Sequence, residues 1–212
     1  MKQYFDKAFS KIAVLGSGTM GGQIAAHFAN LGFEVVMFDV SEEVLAKSLA
    51  VLKKLKPTPL ASQSVIDLIK TSTYESMDIL AQCDLIIESV VENLDIKKKL
   101  FANIAPYVND NAVLVTNTSG LSIQKIAEHS PEHLRSRIFG VHFFNPPRYL
   151  PLVEIIRTSY SDEKLLNKAE GFITSALGKE VVYAKDSPAF IANRIGVFSL
   201  LVVLKHAENF SL

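Results

Sequence analysis

The chain has 212 residues and a formal net charge of +0, because 22 Lys and Arg are balanced by 22 Asp and Glu. Without an excess of positive charge, neither a nucleic acid nor an anionic membrane surface is an expected partner. The longest strongly apolar region, 195–204, is shorter than the ~20 residues that span a bilayer, so we expect no membrane insertion. The single cysteine, Cys83, excludes an internal disulfide and favours a reducing, cytoplasmic location.

Short apolar runs alternate with longer segments of helical periodicity along most of the chain. In chain order, the pattern predicts a strand at 11–15, a helix at 20–31, a strand at 34–38, a helix at 42–55 with Ser41 as its N-cap, and a strand at 84–88. It continues with a helix at 94–108, strands at 112–117, 137–142 and 152–157, a helix at 162–177 and a strand at 180–183. Such alternation predicts an α/β, Rossmann-like, doubly wound fold with a mostly parallel sheet.

A glycine-rich turn follows the first strand and leads into the first helix, with the sequence Gly16-Ser17-Gly18-Thr19-Met20-Gly21. The first glycine of this motif allows the tight turn, and Gly18 lets the backbone approach a pyrophosphate. Gly21 lets the helix pack close to the strand, and the helix N-terminus offers amide donors to phosphates. The motif and its setting predict a dinucleotide site.

Asp39 ends the second strand, 23 residues after Gly16 (39 − 16 = 23). A carboxylate at this point accepts hydrogen bonds from both hydroxyls of the adenosine ribose and repels a 2′-phosphate. The sequence therefore predicts NAD, in preference to NADP, as cofactor. The alternative is a glycine turn followed by an Asp that caps a helix.

His142 lies at the end of one predicted strand and Glu154 lies within the next, twelve residues later (154 − 142 = 12). Neighbouring strands can bring these side chains together. A carboxylate on one imidazole nitrogen fixes the tautomer and raises the basicity of the other nitrogen, which makes His a better general base. The alternative is a buried structural His and an isolated surface Glu. The apolar residues that flank Glu154 favour the pair, since a buried carboxylate requires a partner.

Five segments of the chain closely resemble the L-3-hydroxyacyl-CoA dehydrogenases of fatty-acid β-oxidation. They are 16–21, 88–97, 117–119, 142–154 and 186–194. The resemblance covers nearly the whole chain in one order at compatible spacing. It implies NAD-dependent oxidation of an L-3-hydroxyacyl-CoA to a 3-oxoacyl-CoA.

The resemblance also implies roles for individual residues. His142 corresponds to the general base that takes the 3-hydroxyl proton, and Glu154 to the residue that orients it. Ser119 and Asn193 correspond to residues that hydrogen-bond the substrate oxygen and the catalytic His. The implied cofactor-binding positions are Gly16, Gly18, Thr19, Met20, Gly21, Asp39, Val91, Glu92, Lys97, Asn117 and Ser119. No metal ligand is implied.

Four of these residues also have simpler interpretations. Lys97 belongs to a run of three lysines, which is typical of a solvated helix face. Ser119 and Asn117 are common turn residues, and Asn193 is a common polar residue at a helix N-terminus.

The resemblance predicts two domains. Residues 1–187 form the NAD-binding domain, and residues 188–212 begin a helical domain that binds substrate and forms a homodimer in the family. The apolar helix predicted at 190–204 is the first helix of that domain, so we expect a truncated second domain. The stretch between Asp39 and Thr71 is shorter than the CoA-binding helical hairpin of many members, and Ala189 replaces a frequent glycine.

Two other functions remain open from the residues. One is an NAD-dependent dehydrogenase of a free hydroxy acid, which would turn over substrate without a CoA arm. The other is a nucleotide-binding module that binds NAD without catalysis.

Overall fold

The computed structural model describes residues 8–208. The strands are β1 (Lys11–Leu15), β2 (Glu34–Asp39), β3 (Ile69–Thr73), β4 (Leu85–Glu88), β5 (Val113–Thr116), β6 (Ile138–Phe143), β7 (Leu152–Ile156) and β8 (Glu180–Ala184). The α-helices are α1 (Thr19–Asn30), α2 (Glu42–Lys54), α3 (Leu94–Ile104), α4 (Ile123–Glu128), α5 (Glu132–Arg135), α6 (Glu163–Ser175) and α7 (Ala192–Ala207). Short 3-10 helices span Gln63–Leu68, Met77–Gln82 and Ala105–Tyr107.

The eight strands form one sheet in the order β3-β2-β1-β4-β5-β6-β7-β8. Every neighbouring pair from β3 across to β6 is parallel. The strand order changes direction at β1, because β2 and β3 lie on one side of it and β4 lies on the other. Ligands of such sheets bind outside the carboxyl ends of the strands at this switch point. The predicted doubly wound, mostly parallel α/β fold is confirmed.

Strand β7 departs from the parallel pattern. It runs antiparallel to β6, and β8 is then parallel to β7. The connection 144–151 is shorter than the dozen or more residues that a parallel crossover requires, so the chain returns in the opposite direction. This reversal brings residues near the end of β6 into register with residues of β7.

Apolar side chains cover both faces of the sheet. Along β1, Ile12 and Val14 join the cluster beneath α1, α2 and α6, while Ala13 and Leu15 join the cluster beneath α3, α4 and α5. The alternation follows from strand geometry, in which successive side chains point to opposite faces. Helices that pack on both faces thus hold in place the carboxyl ends of the strands, where the polar residues of the predicted site lie.

The sequence pattern does not predict β3, α4 or α5. In the edge strand β3 only Ile69 is buried, and its other residues are polar or charged, so it lacks an apolar run. Helices α4 and α5 are too short to display helical periodicity. The helix predicted at 94–108 ends at Ile104 and continues as a 3-10 turn, because Pro106 has no amide proton to donate.

Helix α7 begins later than predicted. Phe190 precedes the helix and is buried, with a φ of 46° after Ala189 at 62°. Residues other than glycine rarely adopt this left-handed region of backbone conformation. No residue of α7 is buried, and Phe198 is 68% exposed. Across residues 8–208, no helix is both long and apolar enough to cross a membrane. The predicted boundary between 187 and 188 stays a prediction, and residues 1–7 and 209–212 lie outside the described range.

The imidazole of His27 in α1 is buried beside two cations. The side chain is 7% exposed, and its Nε2 atom has no hydrogen-bond partner among the described residues. Burial, with further contributions from the charges of Lys179 and Arg148, lowers the pKa of His27 to about 4. Protonation of His27 is therefore disfavoured in the folded state.

We predict that this imidazole makes the protein less stable in mild acid. The unfolded His titrates near ~6.5, so the unfolded chain binds more protons than the folded chain between that pH and about 4. Stability from this group is thus present above pH ~6.5 and is lost as the pH falls toward the folded pKa. His27→Gln should reduce the loss of unfolding free energy between pH 7.5 and 5 by about 2 kcal/mol. Urea unfolding at both pH values measures it. The exposed His133, changed to Gln, is the control, and an equal pH dependence in wild type and His27→Gln would contradict the prediction.

Candidate active site

The glycine turn brings the start of α1 against the end of β1. Gly16 has a φ of 98°, and a Cβ on Gly21 would lie 1.9 Å from the carbonyl oxygen of Gly16. Only glycine fits either position. No described side chain caps the N-terminus of α1, whose N-cap residue is Gly18, and a Cβ there would meet nothing within 4 Å. The first-turn amides of α1 are thus open to an anion.

Asp39, at the carboxyl end of β2, is tied to the glycine turn. Its Oδ2 atom accepts hydrogen bonds from the Ser17 amide at 2.7 Å and the Ser17 hydroxyl at 2.6 Å, and Oδ1 accepts one from the Val40 amide at 2.8 Å. A carboxylate has about four acceptor sites and these three hydrogen bonds use all but about one, so capacity remains for a ribose hydroxyl. The alternative of a helix-capping Asp is wrong, because Ser41 caps α2. No pattern in the sequence predicts the hydrogen bonds between Ser17 and Asp39.

A cleft of about 570 Å³ opens beside this turn. Of the predicted cofactor-binding residues, it is lined by Gly16, Gly18, Thr19, Asp39 and Val91. Met20 and Gly21 follow in the first turn of α1. The cleft is also lined by residues that the sequence analysis did not select, which include Val44, Ser48 and Val51 of α2, and Tyr74. Val44 and Val51 were not selected because their helical spacing is also that of ordinary core residues, although both are partly exposed in the structure.

Three charged side chains lie where β4 ends and α3 begins. Lys97 is 1% exposed, so the alternative of a solvated helix face is wrong. Its Nζ atom lies 2.6 Å from Oε1 of Glu88 and 3.5 Å from Oε2 of Glu92. Glu88, which is fully buried, also accepts hydrogen bonds from the Val90 amide and the Thr116 hydroxyl.

Glu92 holds the turn that follows β5. Its Oε1 atom accepts hydrogen bonds from the amides of Ser119 and Gly120, both at 2.9 Å, and Leu121 at 3.3 Å. The hydroxyl of Thr118 donates to the same atom. Burial alone raises the pKa of Glu92, but the Thr118 hydroxyl, the charge of Lys97 and the amides outweigh it, so the pKa lies below its usual value.

His142 and Glu154 meet across the antiparallel pair β6 and β7. They are direct partners in the strand register, and Nδ1 of His142 lies 2.7 Å from Oε2 of Glu154. The residues are 5% and 1% exposed, so the alternative of an isolated surface Glu is wrong. The other oxygen, Oε1, accepts hydrogen bonds from the amides of Ile191 and Ala192, at 3.0 and 2.9 Å. The carboxylate thus joins the imidazole to the start of α7.

The remaining predicted residues, Asn117, Ser119 and Asn193, lie on segments that follow β5 or begin α7. Asn117 is buried, and its Oδ1 atom accepts a hydrogen bond from the amide of Phe143, which follows His142. Asn193 lies in the first turn of α7, directly after the amides that bind Glu154. Ser119 belongs to the turn held by Glu92. Within residues 8–208, no hydrogen bond joins His142 to Ser119 or Asn193.

Two aromatic rings enclose the imidazole of His142. The ring of Phe144 lies 4.6 Å from it and the ring of Phe190 lies 5.7 Å from it, measured between centroids. An imidazole with Nδ1–H donated to a carboxylate carries its free lone pair on Nε2. The pair can therefore accept a proton from a group placed at Nε2.

Comparison with known proteins identifies the family. Residues 11–187 match the family model described as 3-hydroxyacyl-CoA dehydrogenase, NAD binding domain. The chain belongs to this family. Its cofactor is NAD, and the cleft fits that group. The bare glycine turn has space for a pyrophosphate that a Cβ would fill, and Asp39 lies at the position of a ribose partner.

Individual relatives extend the comparison. The chain is 41% identical over 221 residues to the "Probable 3-hydroxyacyl-CoA dehydrogenase" of Bacillus subtilis, covering 94% of the chain and 28% of that protein. It is 34% identical to the mitochondrial hydroxyacyl-coenzyme A dehydrogenase of Homo sapiens, covering 93% of the chain and 66% of the human protein. The crystal structure of FadB2 from M. tuberculosis superposes with a TM-score of 0.85 at 31% identity, covering 96% of the chain and 73% of FadB2. Several relatives are thus matched over only 28% of their length.

We predict that Asp39 sets the preference for NADH over NADPH. Asp39→Ala should lower the ratio of the two affinities roughly tenfold, because it removes ribose hydrogen bonds and the repulsion of a 2′-phosphate. Fluorescence titration with each cofactor measures both Kd values. Ser17→Ala is the control, since it removes the hydroxyl contact to Asp39 and keeps the carboxylate. Tighter binding of NADPH than of NADH by the wild type would exclude this role.

Proposed function

We propose that the chain is the cofactor-binding part of an NAD-dependent L-3-hydroxyacyl-CoA dehydrogenase of fatty-acid β-oxidation. The observation that carries this proposal is the buried pair of His142 and Glu154 at the 2.7 Å contact. It lies on the same carboxyl-end side of the sheet as the NAD cleft, in a chain of this family.

In this proposal His142 is the general base. Its Nε2 atom takes the proton of the 3-hydroxyl group, while Nδ1–H stays bonded to Glu154, which stabilises the imidazolium that forms. NAD would supply, when bound, the acceptor for the hydride that leaves carbon 3, the carbon that carries this hydroxyl group. Ser119 and Asn193 are proposed to hydrogen-bond the substrate oxygen. The enclosing rings of Phe144 and Phe190 limit water at the imidazole.

Glu154 is suited to this role because it is fully satisfied. Two amides at the start of α7 bind one carboxylate oxygen, and the imidazole binds the other. These contacts fix the orientation of the carboxylate, and with it the orientation of the His142 imidazole.

We predict that His142→Gln and Glu154→Gln each lower turnover ~10² or more, the scale of general-base catalysis. The double variant should lose little more than either single variant, because residues that act as one unit are not additive. The assay uses the protein at its full natural length with acetoacetyl-CoA and NADH. NADH affinity should barely change, and the exposed His129, changed to Gln, is the control. Near wild-type turnover in either variant would remove that residue from the mechanism.

The same assay separates the two alternative functions. A dehydrogenase of free hydroxy acids would reduce acetoacetate as well as its CoA ester. A non-catalytic module would bind NADH and turn over neither compound. The cytoplasmic location stays a prediction from the single cysteine.

We also propose that 188–212 belongs to a helical region that binds substrate and joins two copies. Helix α7 exposes a continuous apolar surface: Ile195, Val197, Phe198, Leu200, Leu201, Val202, Val203 and Leu204 are each about half exposed or more. A large exposed apolar patch usually marks a contact site. The 212-residue chain should therefore bind NADH, turn over acetoacetyl-CoA poorly and self-associate through α7.

Size-exclusion chromatography with light scattering, with and without Leu201→Glu, tests the contact. Leu201→Glu should raise the monomer fraction, and Lys205→Glu at the end of the same helix is the control. A strictly monomeric and fully active 212-residue chain would contradict the proposal.

A further inference from the structure

The segment 186–192 leads from the end of β8 into α7 and is attached to the rest of the protein near both ends. At its start, the carboxylate of Asp186 accepts three hydrogen bonds. At its end, the amides of its last two residues donate to Oε1 of Glu154. Between these contacts, Ala189 and Phe190 have positive φ. The position of the amides that bind Glu154 therefore depends on a short, strained turn.

Asp186 binds the start of α4. Its Oδ2 atom accepts hydrogen bonds from the hydroxyl of Ser122 at 2.7 Å and the amide of Gln124 at 2.8 Å, and Oδ1 accepts one from the amide of Ile123 at 3.1 Å. The first amides of a helix have no acceptor within the helix, so this carboxylate supplies one. The Ser122 hydroxyl also caps α4 by accepting a hydrogen bond from the amide of Lys125. Asp186 therefore attaches the segment to backbone that the helix itself holds in place.

The start of α4 packs directly on strands β6 and β7. Gly140 of β6 is the register partner of Ile156 in β7. A Cβ at Gly140 would lie 3.0 Å from Cβ of Ile156 and 3.1 Å from Cδ1 of Ile123, so the glycine leaves room for both isoleucines. The partners His142 and Glu154 lie two residues further along the same strands. The helix start that the carboxylate binds thus has a fixed position relative to this pair.

The ring of Phe190 anchors the strained turn by apolar contacts. It is buried in a cluster with Ile123 of α4 and Ile156 of β7, and it lies 5.7 Å from the imidazole of His142, measured between centroids. Positive φ at residues other than glycine persists only where the surrounding contacts hold the backbone in place. Apolar packing is not directional, whereas hydrogen bonds are. Asp186 therefore supplies the directional contacts that hold this turn.

We propose that Asp186 is a positioning residue for the pair of His142 and Glu154. Through the strained turn it holds the amides of Ile191 and Ala192 against Oε1 of Glu154, whose other oxygen holds the imidazole. Without Asp186 the turn relaxes, the amides leave Oε1, and the buried carboxylate loses its fixed orientation. In the part of the chain that the structure describes, Asp186 has no hydrogen bond with either member of the pair. Its effect on turnover rests on the proposed function, whereas its effect on the imidazole does not.

Nitrogen-15 NMR of histidine-labelled protein at alkaline pH tests the geometry without substrate or cofactor. The shifts of the two ring nitrogens report which of them carries the proton, and the signals of His142 are identified by their loss in His142→Gln. The wild type should show one tautomer, with the proton on Nδ1. Asp186→Ala should move both shifts toward a mixture of tautomers, because the carboxylate that selects one is no longer fixed. Wild-type shifts in a folded Asp186→Ala, or a mixture already present in the wild type, would overturn the proposal.

Asp162 provides the matched control. It is also an aspartate at the start of a helix, where its Oδ1 atom accepts hydrogen bonds from the amides of Lys164 and Leu165 in α6. Helix α6 packs on the opposite face of the sheet from α4. Asp162→Ala removes a carboxylate cap of the same kind and should leave the His142 shifts at their wild-type positions. Equal changes of shift in both variants would show a general loosening of the fold and contradict the positioning role.

Asp186→Asn carries the test if Asp186→Ala does not fold, which circular dichroism shows. The side-chain NH2 group of Asn cannot accept a hydrogen bond, so at least one donor at the start of α4 loses its acceptor while the volume is nearly unchanged. The His142 shifts should move in the direction expected for Asp186→Ala, by a smaller amount. Wild-type shifts in folded Asp186→Asn would then overturn the proposal.

A kinetic cycle separates positioning from folding, with the protein at its full natural length, acetoacetyl-CoA and NADH. Asp186→Ala should lower kcat roughly tenfold and leave the Kd of NADH unchanged, because a misplaced catalytic group can cost ~10² in rate. In the His142→Gln background the same change should cost nothing further, since Asp186 acts through the imidazole. A substitution that only reduces the amount of folded protein lowers the rate equally in both backgrounds, and that outcome would overturn the proposal.

The two measurements distinguish this inference from the proposed function. A mixture of tautomers in Asp186→Ala, in a protein that oxidises no hydroxyacyl-CoA, would contradict only the proposed function. Wild-type shifts of His142 in the same variant of an active enzyme would contradict only the positioning role of Asp186.

Discussion

The buried carboxylate of Glu154 is the constraint on which the arrangement of β6, β7 and α7 depends. A carboxylate without partners is too costly to bury, so both of its oxygens must find donors. One oxygen meets His142 on β6, and the other meets the amides of Ile191 and Ala192 at the start of α7. The antiparallel return of β7 makes the first contact possible, and the position of α7 makes the second. The start of α7 is consequently tied to the imidazole through the Glu154 carboxylate, and the Phe190 ring beside His142 adds a second contact.

The approach of α7 requires strained backbone. Ala189 and Phe190 both have positive φ, and strain of this kind amounts to about 1–3 kcal/mol per residue. Burial of the Phe190 ring beside His142 offsets ~1.5–3 kcal/mol of it. Asp186 adds three hydrogen bonds, from the hydroxyl of Ser122 and the amides of Ile123 and Gln124, which fix the chain just before the turn. The strained backbone is therefore held by the hydrogen bonds of Asp186 before it and by the burial of the Phe190 ring within it.

The features that were predicted from the sequence are those that depend on residues close together in the chain or on the pattern of a single strand. The glycine turn and the acid at the end of β2 depend on spacing within one βαβ unit, and the pairing of His142 with Glu154 followed from a charged residue in an apolar strand. Burial of Lys97 could not be read from a run of three lysines, because only the position of Glu88 under α3 makes that site favourable. The contact of Ser17 with Asp39 depends on the pairing of β1 with β2, which brings the two strand ends together, and the edge strand β3 lacks apolar periodicity.

The carboxylates of Asp39, Glu88 and Glu154 are stabilised by two physically different kinds of donor. Asp39 and Glu154 rely largely on backbone amides, which are present whatever the side chains are. Glu88 has one such amide, from Val90, and otherwise depends on Lys97. Charge supplied by backbone survives substitution of the donor residue, whereas charge supplied by a side chain does not. Of these carboxylates, Glu88 is therefore the one whose environment depends most directly on the identity of a single residue, Lys97.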